Sequence, residues 1–168
     1  MIEEFKQYFD SFENLTRSSE FLKYKKCFFE HKKILFIGNG GSNAIASHIS
    51  NDAVKIYNKN SLSNSDSTML SCFINDYGMD NAYVEFLKVY SDTNTLIILI
   101  SSSGESKNII NCIKYCENNK LKYGLLTGFK ENNSARLQSK SAYFDLHIAS
   151  KNYGVVECLH QIFLHAIF

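Results

Sequence analysis

Two kinds of apolar periodicity alternate along this chain. Short runs around Lys33–Ile37, Thr95–Ile100 and Tyr123–Thr127 read as strands, with a further strand expected near Tyr143–Ala149. An unbroken apolar run is what a parallel strand covered on both faces requires. Between the runs, apolar residues recur every three or four positions, the spacing of a helix with one buried face. Helices are expected over Ile2–Leu15 (Ile2, Phe5, Phe9, Phe12), Ser18–Lys32 (Phe21, Leu22, Tyr24, Phe28) and Asp80–Tyr90 (Tyr83, Phe86, Leu87, Tyr90). Others follow Ser42 (Ala44, Ile45, Ile49, Ala53, Val54) and Ser106 (Ile109, Ile110, Ile113, Tyr115, Cys116), and a last one covers Tyr153–Phe168. Met69–Phe73 fits a short strand or the start of a helix, and the polar stretch Asn58–Asp66 fits a loop or a poor edge strand. Alternating strands and helices predict an α/β three-layer sandwich of flavodoxin type, a central parallel sheet flanked by helices. One domain is expected, with a helical lead over residues 1–32 and the α/β core over 33–168.

Composition narrows the choice of partners. The chain has 168 residues and a net charge of +1, and its longest basic runs are Lys25-Lys26 and Lys32-Lys33. Nucleic acid and membrane therefore have no electrostatic case. No apolar stretch is long enough to span a bilayer, and Met1-Ile-Glu-Glu-Phe-Lys6 is charged and amphipathic, unlike a secretion leader. Five cysteines without a Cys-x-x-Cys pair read as reduced thiols of a cytoplasmic protein. Cys112 and Cys116, four apart, fit core packing better than a metal pair. With no proline present, turns rest on Gly, Asn and Ser.

The chemistry gathers at two strand-to-helix turns. After the first run comes Gly38-Asn39-Gly40-Gly41-Ser42, and after the second Ser101-Ser102-Ser103-Gly104-Glu105-Ser106. In an α/β sheet both fall at the carboxyl edge, where ligands bind. Glycines let the backbone approach an anion, and the unpaired N–H groups of a helix start face it. Hydroxyls at Ser101, Ser102, Ser103 and Ser106 add neutral donors; any one of them could merely cap the helix, but four exceed what a cap requires. Neither turn is a nucleotide motif: the dinucleotide fingerprint needs a glycine where Asn43 stands, and the P-loop Gly-Lys-Ser/Thr is absent. No nucleotide cofactor is expected. One turn beyond the first loop, His48 and Asp52 lie four residues apart and so share a helix face.

Together these residues resemble the sugar isomerase (SIS) domain family, and within it the phosphoheptose isomerases. Gly-Asn-Gly-Gly-Ser followed by His48 is similar to the family's first loop, and Ser101–Ser106 to its phosphate loop. Asn75-Asp76-Tyr77-Gly78 matches an Asn-Asp-Tyr-Gly segment. Glu157-Cys-Leu-His160-Gln-Ile-Phe-Leu-His165 resembles the closing helix, and the likeness spans most of the chain. The resemblance implies isomerisation of sedoheptulose 7-phosphate to glycero-manno-heptose 7-phosphate, for bacterial surface-polysaccharide heptose, by a homotetramer with active sites at subunit interfaces. It implies Asp52 as base and His165 as its acid/base partner. Substrate contacts would be Asn39, Gly40, Gly41, Ser42, Asp76, Ser101, Ser102, Ser103, Ser106 and Glu157. Zinc, held by His48, Asp52, Glu157 and His165, is implied for some members.

Four departures stand against the family pattern. Asp52 replaces a glutamate, Glu157 a glutamine and Gly154 a substrate-binding aspartate, while the segment before Asp66 is polar where an apolar strand is usual. They leave open an isomerase of another sugar phosphate, or a non-catalytic sugar-phosphate sensor or protein-binding scaffold. Glu157 and His165 pose a geometric question of their own. If both lie on one helix, eight residues separate them by about 12 Å at 1.5 Å per residue, too far to share one ion within a chain. His31, His147 and His160 are expected to be surface or satisfied core groups.

Overall fold

The apolar runs become parallel strands of one sheet. In a computed structural model that describes Lys6, Phe12 and residues 14–168, β1 (Lys33–Gly38), β2 (Asn60–Ser63), β3 (Thr95–Ser101), β4 (Lys122–Gly128) and β5 (Phe144–Ile148) are ordered β2-β1-β3-β4-β5. Every neighbouring pair is parallel. β3, in the centre, is buried at all seven positions.

Alternate strand residues feed two separate cores. Ile34, Phe36, Leu96, Ile98 and Ile100 point to one face, where α1 (Ser19–Glu30), α2 (Gly40–Tyr57) and α7 (Tyr153–His165) cover them. Leu35, Ile37, Ile97 and Leu99 point to the other, under α4 (Ala82–Tyr90) and α5 (Lys107–Asn119), with α3 (Ser67–Tyr77) and α6 (Ser134–Gln138) at the margin. A side chain buried this fully contributes about 1.5–3 kcal/mol relative to exposure. The expected three-layer sandwich of flavodoxin type is what forms. Among the described residues no helix is long and apolar enough to cross a membrane.

Several local expectations resolve. Met69–Phe73 belongs to a helix, α3, started by Asp66, whose carboxylate accepts a hydrogen bond from the Met69 amide at 2.7 Å. The polar stretch supplies an edge strand of four residues, β2. Asn64 then extends the ladder with its side chain: its amide donates to the Gly38 carbonyl at 3.2 Å and its oxygen accepts from the Gly38 amide at 3.3 Å. Of the expected helix Ile2–Leu15, only Lys6, Phe12, Asn14 and Leu15 are described, and these are helical; its other residues lie outside the described set. Ser18 starts α1 by accepting from the Phe21 amide at 3.1 Å.

Candidate active site

The switch point of the sheet lies between β1 and β3, the pair from which connections depart in opposite directions, and an open α/β sheet binds ligands there. The two loops leave these strands side by side. Gly40 and Gly104 take left-handed conformations, φ +51° and +69°, that favour glycine. Between the loops is a pocket of about 270 Å³ lined by Asn39, Gly40, Gly41, Ser42, Ser101, Ser102, Ser103 and Ser106, together with Tyr153 and Glu157.

How the helices begin sets this pocket apart. α1, α3, α6 and α7 each start on a side chain, Ser18, Asp66, Asn133 and Asn152, that accepts from the first-turn amides. α2 and α5, which open at the pocket, have no such cap at Asn39 or Ser106, a feature shared with α4 at Asn81. The Asn39 side chain is committed elsewhere, in a reciprocal amide pair with Asn108 at 2.9 Å each way and as acceptor of the Tyr83 hydroxyl at 2.8 Å. Two helix starts therefore direct amide hydrogens at one cavity. This is the arrangement that receives an anion. Ser42 and Ser102, both buried, bring their hydroxyls within 3.4 Å of each other, and the Ser101 hydroxyl donates to Ser106 at 3.4 Å.

α2 and α7 lie side by side with their N-terminal ends together. At the start of the pair, Glu157 packs so closely on Gly41 that a Cβ there would overlap its carboxylate; Ser102 donates to Glu157 Oε1 at 3.4 Å. Farther along, Asp52 stands between two imidazoles. Its Oδ2 is 3.4 Å from His48 Nε2 and 3.2 Å from His165 Nε2. The two rings meet edge to face, centroids 4.7 Å apart. The Asp52 side chain keeps 23% of its surface exposed, so a ligand can reach it. His48, Asp52 and His165 present donor atoms all within 4.8 Å of one another. Two imidazoles and a carboxylate suit a divalent ion such as zinc and leave a position open for substrate.

Within one chain Glu157 does not join this group. Both Glu157 and His165 lie in α7, and eight residues of helix rise about 12 Å. Glu157 serves the serine pocket instead, and the four-residue set shrinks to three. Asp76 is placed in neither group: it lies exposed in the last turn of α3, accepting from Cys72 and Asn75 of the same helix. Gly154 sits in the first turn of α7, its amide donating to Asn152 at 2.9 Å. His160 is fully buried and donates from Nε2 to the Thr127 carbonyl at 3.0 Å; burial drives its pKa down to about 4 and keeps it neutral. His31 donates from Nδ1 to the Cys27 carbonyl at 2.8 Å, and His147 lies 3.3 Å from the Thr127 hydroxyl.

Four residues at the two sites carried no signal in the motif reading: Tyr153 at the pocket mouth, Tyr83 and Asn108 behind Asn39, and Gln161, whose amide lies 3.3 Å from His48 Nδ1. A helical stripe would have found two of them. Tyr153, Glu157, Gln161 and His165 follow one another at intervals of four along a single face.

A carboxyl-edge anion pocket at a 2-1-3-4-5 switch point, with an acid/base cluster farther along α2 where α7 packs on it, defines a ligand-binding α/β domain. The SIS domain model matches residues 9–128, and the chain belongs to the SIS domain family. It is similar to the phosphoheptose isomerase of Buchnera aphidicola, 28% identical over 160 residues that cover 92% of this chain and 79% of the relative. It also resembles that of Fusobacterium nucleatum, 29% identical over 151 residues, 86% of this chain and 75% of the relative. The solved phosphoheptose isomerase of Neisseria gonorrhoeae superimposes with a TM-score of 0.88 at 21% identity, covering 99% of this chain and 91% of its own. That likeness shows the fold.

Proposed function

We propose that this protein is a ketose–aldose isomerase of sugar phosphates. Its substrate is sedoheptulose 7-phosphate and its product glycero-manno-heptose 7-phosphate, a precursor of bacterial surface-polysaccharide heptose. One observation carries the reading. Asp52, braced by His48 and by His165 of α7, stands on α2, the same helix whose first turn lines the phosphate pocket. A sensor or scaffold needs the pocket alone, whereas an isomerase needs a base with a proton-carrying partner beside it. The similarity to phosphoheptose isomerases supports the choice of substrate.

The chemistry assigns each group a task. Serine hydroxyls and the amides of α2 and α5 hold the phosphate, each helix-end interaction contributing about 0.3–1 kcal/mol and more when partly buried. Asp52 takes a proton from C1 of the ketose while His165 protonates O2, forming an enediol. Asp52 then returns the proton to C2 as O1–H gives its proton back to His165, leaving the aldehyde at C1. Both ring contacts fall on Oδ2 of Asp52, and Oδ1 is assigned to the carbon proton. His48, Asp52 and His165 would hold zinc, and the ion when bound polarises the substrate carbonyl.

Assembly follows from the spacing of these groups. Glu157 in the phosphate pocket and His165 in the acid/base cluster are about 12 Å apart along α7, so the pocket of one copy is proposed to face the cluster of another in a homotetramer. The reaction is placed in the cytoplasm, in keeping with five unpaired thiols. Incubation with five-, six- and seven-carbon ketose phosphates tests the whole reading. Aldose phosphate should form, fastest from the seven-carbon substrate; none from any of them would overturn it.

A further inference from the structure

His48 has two ring nitrogens, and the structure gives each a partner. Nε2 faces Asp52 at 3.4 Å, while Nδ1 lies 3.3 Å from Nε2 of Gln161. Gln161 sits midway between Glu157 and His165 on the part-exposed stripe of α7 that borders α2, so its position relative to His48 is set by the pairing of α2 with α7 and not by a loop. We infer that Gln161 is a positioning residue for the site: it partners His48 Nδ1 and so holds the ring with Nε2 toward Asp52. The inference deepens the isomerase reading and rests on it for the role of His48.

The physical argument concerns donors and acceptors. A neutral imidazole has one N–H and one lone pair, and the partner of one nitrogen decides the state of the other. With the Gln161 amide donating to Nδ1, the proton resides on Nε2 and is shared with the Asp52 carboxylate, keeping that carboxylate in place as a base. A ring that binds a metal through Nε2 needs the opposite tautomer, with Nδ1–H donating outward to an acceptor. Gln161 can supply this too, because rotating its side-chain amide presents an oxygen where the nitrogen stood. A side chain with only one of these capacities would lock His48 in a single state. Glutamine at this position serves both the metal-free and the metal-bound site.

The test reads the tautomer directly, in metal-free protein, by two-bond ¹H–¹⁵N correlations of the ¹⁵N-labelled imidazoles, with His48 assigned from a His48→Ala variant. In the parent protein His48 should show a protonated Nε2. Gln161→Glu places a pure acceptor at Nδ1 while Asp52 still accepts at Nε2, and should give a ring protonated on both nitrogens, whereas Gln161→Leu removes only the Nδ1 partner and should leave the proton on Nε2 of a ring no longer held. The His165 signals should stay put in Gln161→Leu, which a general distortion of the helix pair would not allow. Zinc affinity provides a second readout: Gln161→Leu should bind 10–100-fold more weakly than the parent, the usual cost of losing the partner of a ligating histidine. A His48 ring protonated in Gln161→Glu only as in the parent overturns the inference even if the parent binds zinc and isomerises, as does unchanged zinc affinity in Gln161→Leu. Conversely, a parent protein that binds no zinc and isomerises nothing defeats the functional reading, and the His48 protonation change then decides the inference alone.

Discussion

Asp52 and His165 carry the sharpest expectations at the scale of single residues. Asp52→Asn keeps the size and removes the base, so isomerisation should vanish while calorimetry still detects sugar-phosphate binding. His165→Gln should slow turnover by about 10²–10⁴-fold, the span of a positioned acid/base group. Asp52→Glu lengthens the carboxylate by one methylene. With Oδ2 already held between two rings, the extra length should misplace the base and lower kcat more than it changes KM. At the phosphate end, Ser103→Ala with Ser106→Ala should weaken binding strongly and leave the thermal transition nearly unchanged, since neither hydroxyl caps its helix. Unaltered affinity would move the phosphate elsewhere. The loops were readable in the sequence because their chemistry is local, a strand, a glycine or serine turn and a helix in succession. The meeting of Asp52 with His165 depends on how α2 and α7 pair across more than a hundred residues, which no local pattern encodes. Asn39 is a similar case: a cap by residue type, it is tied up by Asn108 and Tyr83.

At the scale of elements, α7 matters most because it carries Glu157, Gln161 and His165 on one side and His160 on the other. His160 is buried and its pKa is lowered from 6.5 to about 4 by desolvation. The unfolded chain therefore binds a proton that the folded chain refuses between these values, and stability should fall as pH drops from about 6.5 to about 4. Urea unfolding midpoints across that window should decline for the parent protein and decline less for His160→Gln. Equal slopes would mean that the burial of His160 is not what resists protonation. Strands β1, β3 and β4 were legible because a central parallel strand is an unbroken apolar run. β2 was legible only as one of two alternatives, since at the sheet edge Asn60–Ser63 needs one buried residue in four, Ser61, and is completed by a side-chain amide, Asn64, rather than by backbone. α3 was ambiguous because it lies at the margin of its core and buries no residue fully.

The whole molecule separates two tasks, anion binding where α2 and α5 begin beside Glu157 and proton handling about 12 Å farther along α2 and α7. If neighbouring copies complete each other's sites, a mixture of inactive chains should recover activity. Asp52→Asn chains mixed with Ser103→Ala/Ser106→Ala chains, denatured and refolded together, should regain part of the parent rate. Each variant alone should not, and light scattering should report a tetramer. No recovery from a tetramer so mixed would assign both tasks to one chain. The central claim, that this is an isomerase whose base is Asp52, is tested most directly by incubating sedoheptulose 7-phosphate in D₂O with the parent protein and with Asp52→Asn, and following deuterium at C2 of the aldose phosphate. The parent should form aldose phosphate labelled at C2, to the extent that the proton on Asp52 exchanges with solvent, and Asp52→Asn should form none. Aldose phosphate appearing at the parent rate from Asp52→Asn, or none from either protein, would contradict the account.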